Sequence, residues 1–423
     1  GHPGHPDVLM ILLDAARPDH FSCYGYHRET SPNIDRLAAD GLVFREVFAT
    51  APYTINSLAS LMSGYSWRDH NIHDEGDALS DSFLTLAELL KTHGYHTIGY
   101  TATPNYSVAT GGDQGFTEFH EVWKHPDHGP RINPEFPEKM LTARPPTDFG
   151  DKPVFCYMHL IPPHEPYLPG PEHDLWHDPD YEGDIDGSYQ MIMKLIRGER
   201  DWDEADLQQL IDLYDGNLHR IDASVGRILA YWRSLQRSRE LLVVLLSDHG
   251  EAFQEHGKFT HNSTVYDEMI RIPLIISPGY LAEALAPARD SFLATTDIVP
   301  MLCRNLGVLP PGGSKWPSRF LRVLEDPTAF RAGILLRPAP GSPHLGYRTS
   351  RYLAICDGWN RQELYDMKVD PAATLNLRLR YPETYTTMIG QLRAVLVDTV
   401  HSAAAVESEL SEEDIRTLRA LGY

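Results

Sequence analysis

The apolar positions along the chain fall into two kinds of run. Asp7 to Leu13 (DVLMILL), Val154 to Leu160 (VFCYMHL) and Leu241 to Leu246 (LLVVLL) are short stretches with no polar face. A strand apolar on both sides belongs in the middle of a parallel sheet covered by helices. Elsewhere the apolar residues recur at helical spacing. Ile34, Leu37 and Ala38 predict a helix opened by Ser31-Pro32-Asn33 and stopped at Gly41. Leu58, Leu61 and Met62 predict another, ended by Gly64, and Thr85 to Thr92 a third before Gly94. Leu210, Leu213, Leu218, Ile221, Val225 and Ile228 predict a long helix from Asp206 to Leu235. Strands are expected also at Leu42 to Phe48, Thr97 to Thr101 and Ile272 to Ser277. This alternation predicts an α/β fold with a large mixed, mostly parallel sheet sandwiched by helices.

The alternation stops near residue 309, where Pro310-Pro311-Gly312-Gly313 reads as a linker. Beyond it, Phe330 to Leu336, Tyr347 to Cys356, Glu363 to Tyr365 and a helix from Glu383 predict a small C-terminal α+β subdomain. The expected division is therefore residues 1–309 and 314–423. Residues 124–150, rich in Pro, His and Asp, are expected to form a long surface loop, and 171–205 to start irregular and turn helical.

Composition narrows the function. With 42% hydrophobic residues among 423, the chain can bury a substantial core. The formal charge of -22, with no basic block to offset it, excludes nucleic acid as a routine partner. It also requires that any anion-binding pocket be made locally positive, most simply by a metal ion. Cys23, Cys156, Cys303 and Cys356 form no C-x-x-C pair and read as buried small residues rather than a disulfide framework. No apolar run approaches the ~20 residues of a membrane span, and no signal peptide precedes the first strand, so a cytoplasmic or unassigned compartment is expected. The expected partner is a small anionic ester, with homo-oligomerisation left open.

Candidate chemistry gathers at strand ends and one helix start. Two apolar strands end in acids, Asp14 and Asp248, and His249 follows the second. In open α/β sheets ligands collect at that edge. Thr54 precedes or opens the helix ending at Gly64, where free backbone N–H groups and the helix dipole favour an anion. As an isolated residue it would be an N-cap. Asp14, Thr54, Asp248 and His249 together form an oxygen and nitrogen ligand set better suited to Zn or Mn than to Ca. A divalent ion against the Thr54 hydroxyl would lower its pKa and make it a nucleophile.

These residues add up to a resemblance. Asp14-Ala15-Ala16-Arg17-Pro18-Asp19-His20, Ser31-Pro32-Asn33, Ser247-Asp248-His249-Gly250-Glu251, Glu255-His256-Gly257 and Arg271-Ile272-Pro273-Leu274 occur in order. With Glu363-Leu364-Tyr365-Asp366 near the end, the series resembles the sulfatase family of the alkaline phosphatase superfamily. Sulfatases carry Cys or Ser, then x-Pro-Ser-Arg, at the helix start, and convert that residue to formylglycine. Thr54 stands at that position, with Asn56 and Leu58 in place of Pro and Arg, and Ala15 replaces the second acid of the usual Asp-Asp pair. Thr cannot become formylglycine. The resemblance therefore points to the branch with a Thr nucleophile, which contains phosphodiesterases, phosphonate monoester hydrolases and phosphoglycerol or phosphoethanolamine transferases.

That branch implies a covalent phospho-threonine at Thr54 and a Zn or Mn ion on Asp14, Thr54, Asp248 and His249. It implies catalytic roles for His261, in Phe-Thr-His-Asn, and His164, in Pro-Pro-His-Glu-Pro, at the transition state or leaving group. It also implies substrate binding by Asn105 and His256, each of which could instead be a turn residue. Arg17 and Asp19 are read as structural, as are His219 and Asp222; His70 and His73 could line the mouth. The expected activity is hydrolysis of a phosphodiester or phosphonate monoester. A sulfatase working without formylglycine, transfer to an alcohol, and a non-catalytic scaffold are the rivals.

Overall fold

The central sheet follows from the apolar runs. A computed structural model describes residues 5–125, 136–143, 150–312, 316–329, 331–338, 342, 344–357, 361–397 and 406–421. Its seven-stranded sheet runs in the order Leu42–Phe44, Leu274–Ser277, Leu241–Leu246, Asp7–Leu13, Val154–Leu160, His96–Thr101, Glu118–Glu121. The strands from Leu241–Leu246 to Glu118–Glu121 are parallel, and Leu274–Ser277 is antiparallel to both its neighbours. The sheet is thus mixed and mostly parallel. Val8, Met10 and Leu12 pack on one side with Leu58, Leu61 and Met62 of the helix Thr54–Ser63. Leu9, Ile11 and Leu13 pack on the other with Ile34 and Leu37 of Pro32–Ala39 and Leu218, Ile221 and Val225 of Glu204–Ser234. A strand loaded on both faces cannot slip by one residue without exchanging two cores.

Several local expectations change. Leu42 to Phe48 divides: Leu42–Phe44 joins the large sheet, whereas Val47–Phe48 pairs with Leu293–Ala294, because Glu46 O takes the Leu293 N–H at 2.8 Å and turns the chain away. Tyr347 to Cys356 is a hairpin of Leu345–Arg348 and Tyr352–Cys356, closed by Thr349 N donating to Tyr352 O at 2.8 Å. Within the expected loop 124–150, Phe136–Ala143 is a helix that buries Phe136 and Leu141; residues 126–135 and 144–149, like Gly313 and Phe330, lie outside the described residues.

The later part of the chain makes a four-stranded antiparallel sheet, Ile334–Leu336, Leu345–Arg348, Tyr352–Cys356 and Gln362–Asp366. One face packs on Met388 and Leu392 of the helix Pro382–Val397, the other on Met269 and Ile270 beside the large sheet. Before reaching it, the chain returns Trp316, Phe320 and Val323 to the first core. Asp297, fully buried, is gripped there by Arg319 at 2.8 Å and Arg331 at 2.6 Å.

The helix Glu204–Ser234 is the main support behind the sheet edge, and Asp203 caps it by accepting from Asp206 N. Its Tyr214 hydroxyl accepts from Arg17 N at 3.0 Å and donates to Ala15 O at 2.9 Å. One residue along, Asp215 takes His20 Nδ1 at 2.6 Å and the Tyr26 hydroxyl at 2.8 Å. Further on, Asn217 Nδ2 donates to Pro166 O at 3.0 Å and Arg220 Nη1 to Leu168 O at 3.0 Å.

Candidate active site

Sheet register brings the acids together. Leu12 lies opposite Leu246 in one neighbouring strand and His159 in the other, so Asp14 and Asp248 leave the edge side by side with His159 beneath them. Asp14, His159, Asp248 and His249 are all fully buried. The helix Thr54–Ser63 is pinned over them by Ser57 Oγ donating to Asp248 O at 2.7 Å. Tyr53 occupies the N-cap position and Thr54 is the first helical residue, so the Thr54 hydroxyl does not serve as the cap. It faces His249 Nε2 instead, at 3.2 Å.

His249 Nδ1 donates to Gly250 O at 2.9 Å, which leaves Nε2 as the lone-pair nitrogen. That nitrogen lies 3.5 Å from Asp14 Oδ1 and 3.5 Å from Asp248 Oδ2. Asp248 Oδ2 has no hydrogen-bond partner among the described residues, while Oδ1 accepts from His249 N at 3.0 Å and Ala15 N at 3.3 Å. Separations of 3.2 to 3.5 Å are long for hydrogen bonds. They match the edge of a tetrahedron whose centre is ~2.0–2.2 Å from each ligand, about 3.3–3.6 Å. The donor set, its spacing and the orphaned carboxylate oxygen all fit a divalent cation. His159 Nε2 meets Asp14 Oδ2 at 2.9 Å, and one donor atom each of Asp14, His159 and Asp248 lies within 4.8 Å of the others. Burial keeps His159 neutral by lowering its pKa to about 4 and also lowers that of His249.

A second group adjoins the first. The hairpin pairing of Thr260 with Ala252 carries His261 back opposite Glu251, where His261 Nδ1 and Glu251 Oε1 are 3.1 Å apart. The His261 ring is 4.6 Å from that of His249 and 4.7 Å from that of His164. His164 Nδ1 donates to Glu165 O at 2.7 Å, and Glu165 Oε2 lies 3.5 Å from His164 Nδ1 and 3.7 Å from His261 Nδ1. Burial pushes the Glu251 carboxyl up to about 8 and Glu165 well above its ordinary value, and lowers His261 to about 4. Arg17, the nearby cation, spends its guanidinium on Asp19 and Glu255 and meets Glu251 only at its main-chain oxygen.

The structure therefore brings Asp14, Thr54, Asp248 and His249 into one cluster and His164 and His261 beside it. His256 stands apart in its contacts: Nδ1 meets Glu268 Oε1 at 2.7 Å, Nε2 meets Ala373 O at 3.2 Å, and the ring stacks on Tyr266 at 3.5 Å. Asn105 is buried in a turn, its N–H on Thr103 Oγ1 at 3.3 Å, and its Oδ1 has no hydrogen-bond partner among the described residues. His70 is fully buried between Ser60 Oγ and Ile72 N, and His73 Nδ1 meets Arg337 Nη1 at 2.6 Å.

Sequence reasoning missed His159, Glu165 and Glu251 as members of the site. The signal for His159 was one imidazole on an otherwise apolar strand next to the strand of Asp14. Glu251 and Glu165 were visible as neighbours of His249 and His164, but only the hairpin and the proline loop place them face to face.

Residues 6–308 match the Sulfatase family. The chain belongs to the sulfatase family. The family's hydrolases lie within the alkaline phosphatase superfamily, and this member is similar to the Δ4,5-hexuronate-2-O-sulfatase of Bacteroides thetaiotaomicron, 24% identical over 98% of this chain and 91% of that protein. It is also similar to the multifunctional alkaline phosphatase superfamily protein PehA of Trinickia caryophylli, 24% identical over 71% of this chain and 74% of the other. In fold it resembles the phosphonate monoester hydrolase of Agrobacterium radiobacter, with a TM-score of 0.74 at 18% identity, covering 96% of this chain and 100% of that one. No helix among the described residues of this sulfatase-family chain is long and apolar enough to cross a membrane.

Proposed function

We propose that this enzyme hydrolyses phosphoesters, phosphodiesters or phosphonate monoesters, with Thr54 as the nucleophile. The observation that carries the reading is the Thr54 hydroxyl, fully buried at the first turn of its helix and 3.2 Å from His249 Nε2. Oxidation at a Thr Cβ, which bears a methyl group, gives a ketone and not the aldehyde of formylglycine. The side chain is left with one chemistry, attack by its oxygen.

Asp14, Thr54, Asp248 and His249 would hold a divalent ion, Zn or Mn by their donor chemistry, which would supply Lewis acidity to the Thr hydroxyl and the ester oxygens. The residues do the rest. The dipole of the helix that begins at Thr54 favours an anionic ester at this end. Thr54 Oγ1 forms its bond to phosphorus as the bond to the alcohol oxygen breaks; the proton given up by the Thr54 hydroxyl ends on the departing oxygen, whose exit His261 and His164 assist by hydrogen bonding, and the phosphorus group is left on Thr54 with release of the alcohol. Water then cleaves the phosphorus–oxygen bond to Thr54, returning the hydroxyl and releasing the acid.

A panel of aryl phosphodiester, aryl phosphonate monoester and aryl sulfate, run with the Zn- and Mn-loaded protein, tests the substrate class. The phosphorus esters are expected to turn over faster. Thr54→Ala should lower kcat by ~10³-fold or more, and acid-quenched wild-type protein should carry on Thr54 the phosphorus group that remains after one alcohol departs, an ester-bearing phosphoryl from the diester or a phosphonyl from the phosphonate. Similarity to the hexuronate sulfatase favours one rival, sulfate ester hydrolysis without formylglycine. A clear preference for the aryl sulfate would replace the phosphoryl reading with that one.

A further inference from the structure

The geometry points to Arg337 as the residue that reads the organic part of the substrate, by pairing with a carboxylate carried there. The inference rests on the phosphoester reading and deepens it. Arg337 directly follows the strand Ile334–Leu336, where the later sheet meets the segment leading into Thr54. Its N–H donates to Thr50 O at 3.2 Å. Its Nη1 donates to His73 Nδ1 at 2.6 Å, and its guanidinium lies 5.2 Å from the centre of the Trp67 ring. His73 is tied in turn to the start of the Thr54 helix. The Tyr53 hydroxyl donates to His73 O at 3.1 Å, and Asn56 Nδ2 donates to Ile72 O at 2.8 Å. These bonds hold the Arg337 cation in a fixed relation to the nucleophile.

Charge says what such a cation can do. No carboxylate among the described residues pairs with Arg337; its side chain meets an imidazole and an indole instead. Burial and the neighbouring guanidinium both lower the His73 pKa, so the imidazole is a neutral acceptor. Asp77, the acid beside His73, is turned to the main chain, accepting from His73 N at 2.6 Å and Asp74 N at 3.3 Å. Arg17 is spent on Asp19 and Glu255. Arg337 and His73 are both half-buried, so the pair keeps an open side. In a chain of formal charge -22, a substrate with a second negative charge needs a local cation to be held. The planar fork of a guanidinium matches the two oxygens of a carboxylate, and partial withdrawal from water strengthens the pairing.

A ligand series tests this without turnover. Alkylphosphonates of about two to six carbons, ending either in methyl or in carboxylate, are titrated calorimetrically into the Zn-loaded full-length chain. At the length that spans from the reacting position to Arg337, the carboxylate member is expected to bind about tenfold tighter or more. Arg337→Gln should bring the two members to within about threefold of each other. Arg337→Lys, which keeps the charge and loses the fork, should recover part of the difference.

A difference under about threefold in wild type at every length would overturn the proposal, whether or not Arg337→Gln folds, and leave the phosphoester reading in place. A tenfold preference that persists in folded Arg337→Gln would overturn the assignment to Arg337. The same lengths as alkylsulfonates separate the proposal from the reading it rests on. A carboxylate preference among sulfonates that Arg337→Gln abolishes, with no phosphonate bound, would overturn the phosphoryl reading and keep Arg337. Binding of neither series would overturn both.

Discussion

Replacing His159 with Leu removes one hydrogen bond and no chemistry. His159 Nε2 holds Asp14 Oδ2 at 2.9 Å with both side chains fully buried, so no water can take its place. A hydrogen bond to a charged group is worth about 1.5–3 kcal/mol. At 1.4 kcal/mol per tenfold, that is roughly a 10- to 150-fold weaker hold on the divalent ion. The same range is seen when the partners of metal ligands are removed elsewhere, about 10- to 100-fold. Calorimetric titration of stripped His159→Leu with Zn should show that loss of affinity, while kcat at saturating metal falls by less than the affinity does. His159→Gln, which keeps a donor, should recover part of it. Two results would refute the reasoning. An affinity within twofold of wild type in a folded variant would mean that Asp14 needs no support. A loss beyond ~10³-fold would make His159 a ligand itself.

Other outcomes test the scaffold. Burial lowers the His70 imidazole to about 3, so below pH 6.5 the unfolded chain takes up a proton that the native state refuses, and stability is lost as pH falls from there towards 3. His70 alone should cost about 2 kcal/mol by pH 5, and His70→Gln should flatten the unfolding free energy against pH in that window by about 1.4 kcal/mol per pH unit; equal slopes in denaturant titrations would contradict this. Burial alone would raise Asp297, but Arg331 and Arg319 pull its carboxyl down to about 2. Asp297→Asn should therefore lower unfolding stability by about 2–4 kcal/mol, read from urea midpoints, and an unchanged midpoint would show that the two arginines find other partners.

How much of this was legible in the sequence depends on distance along the chain. The strands Asp7–Leu13, Val154–Leu160 and Leu241–Leu246 could be bounded because a doubly buried strand leaves no polar gap. Asp14 and Asp248 could be paired because parallel neighbours present their ends together. The Thr54 helix could be placed by its Gly64 stop, though only coordinates tell a cap from a first helical residue. Tyr214 was not legible: its spacing makes it a core residue, and its task depends on a hydroxyl reaching Ala15, 199 positions away. Ala15 itself adopts φ 56°, which a sequence pattern does not reveal in a residue other than glycine. The break between Phe44 and Val47 was hidden for a similar reason, since the partner Leu293–Ala294 lies far downstream.

The long rod behind the sheet has a consequence for how new specificities could arise. Its Tyr214 and Asp215 grip the turn after Asp14, while Asn217 and Arg220, about a turn further, fasten the segment that starts at Pro166. Reactive groups and outer loop thus hang from separate pegs on one beam. Exchange of the stretch beyond Leu168 for a longer or differently charged one, with Asn217 and Arg220 kept, should leave the bond-breaking machinery in register.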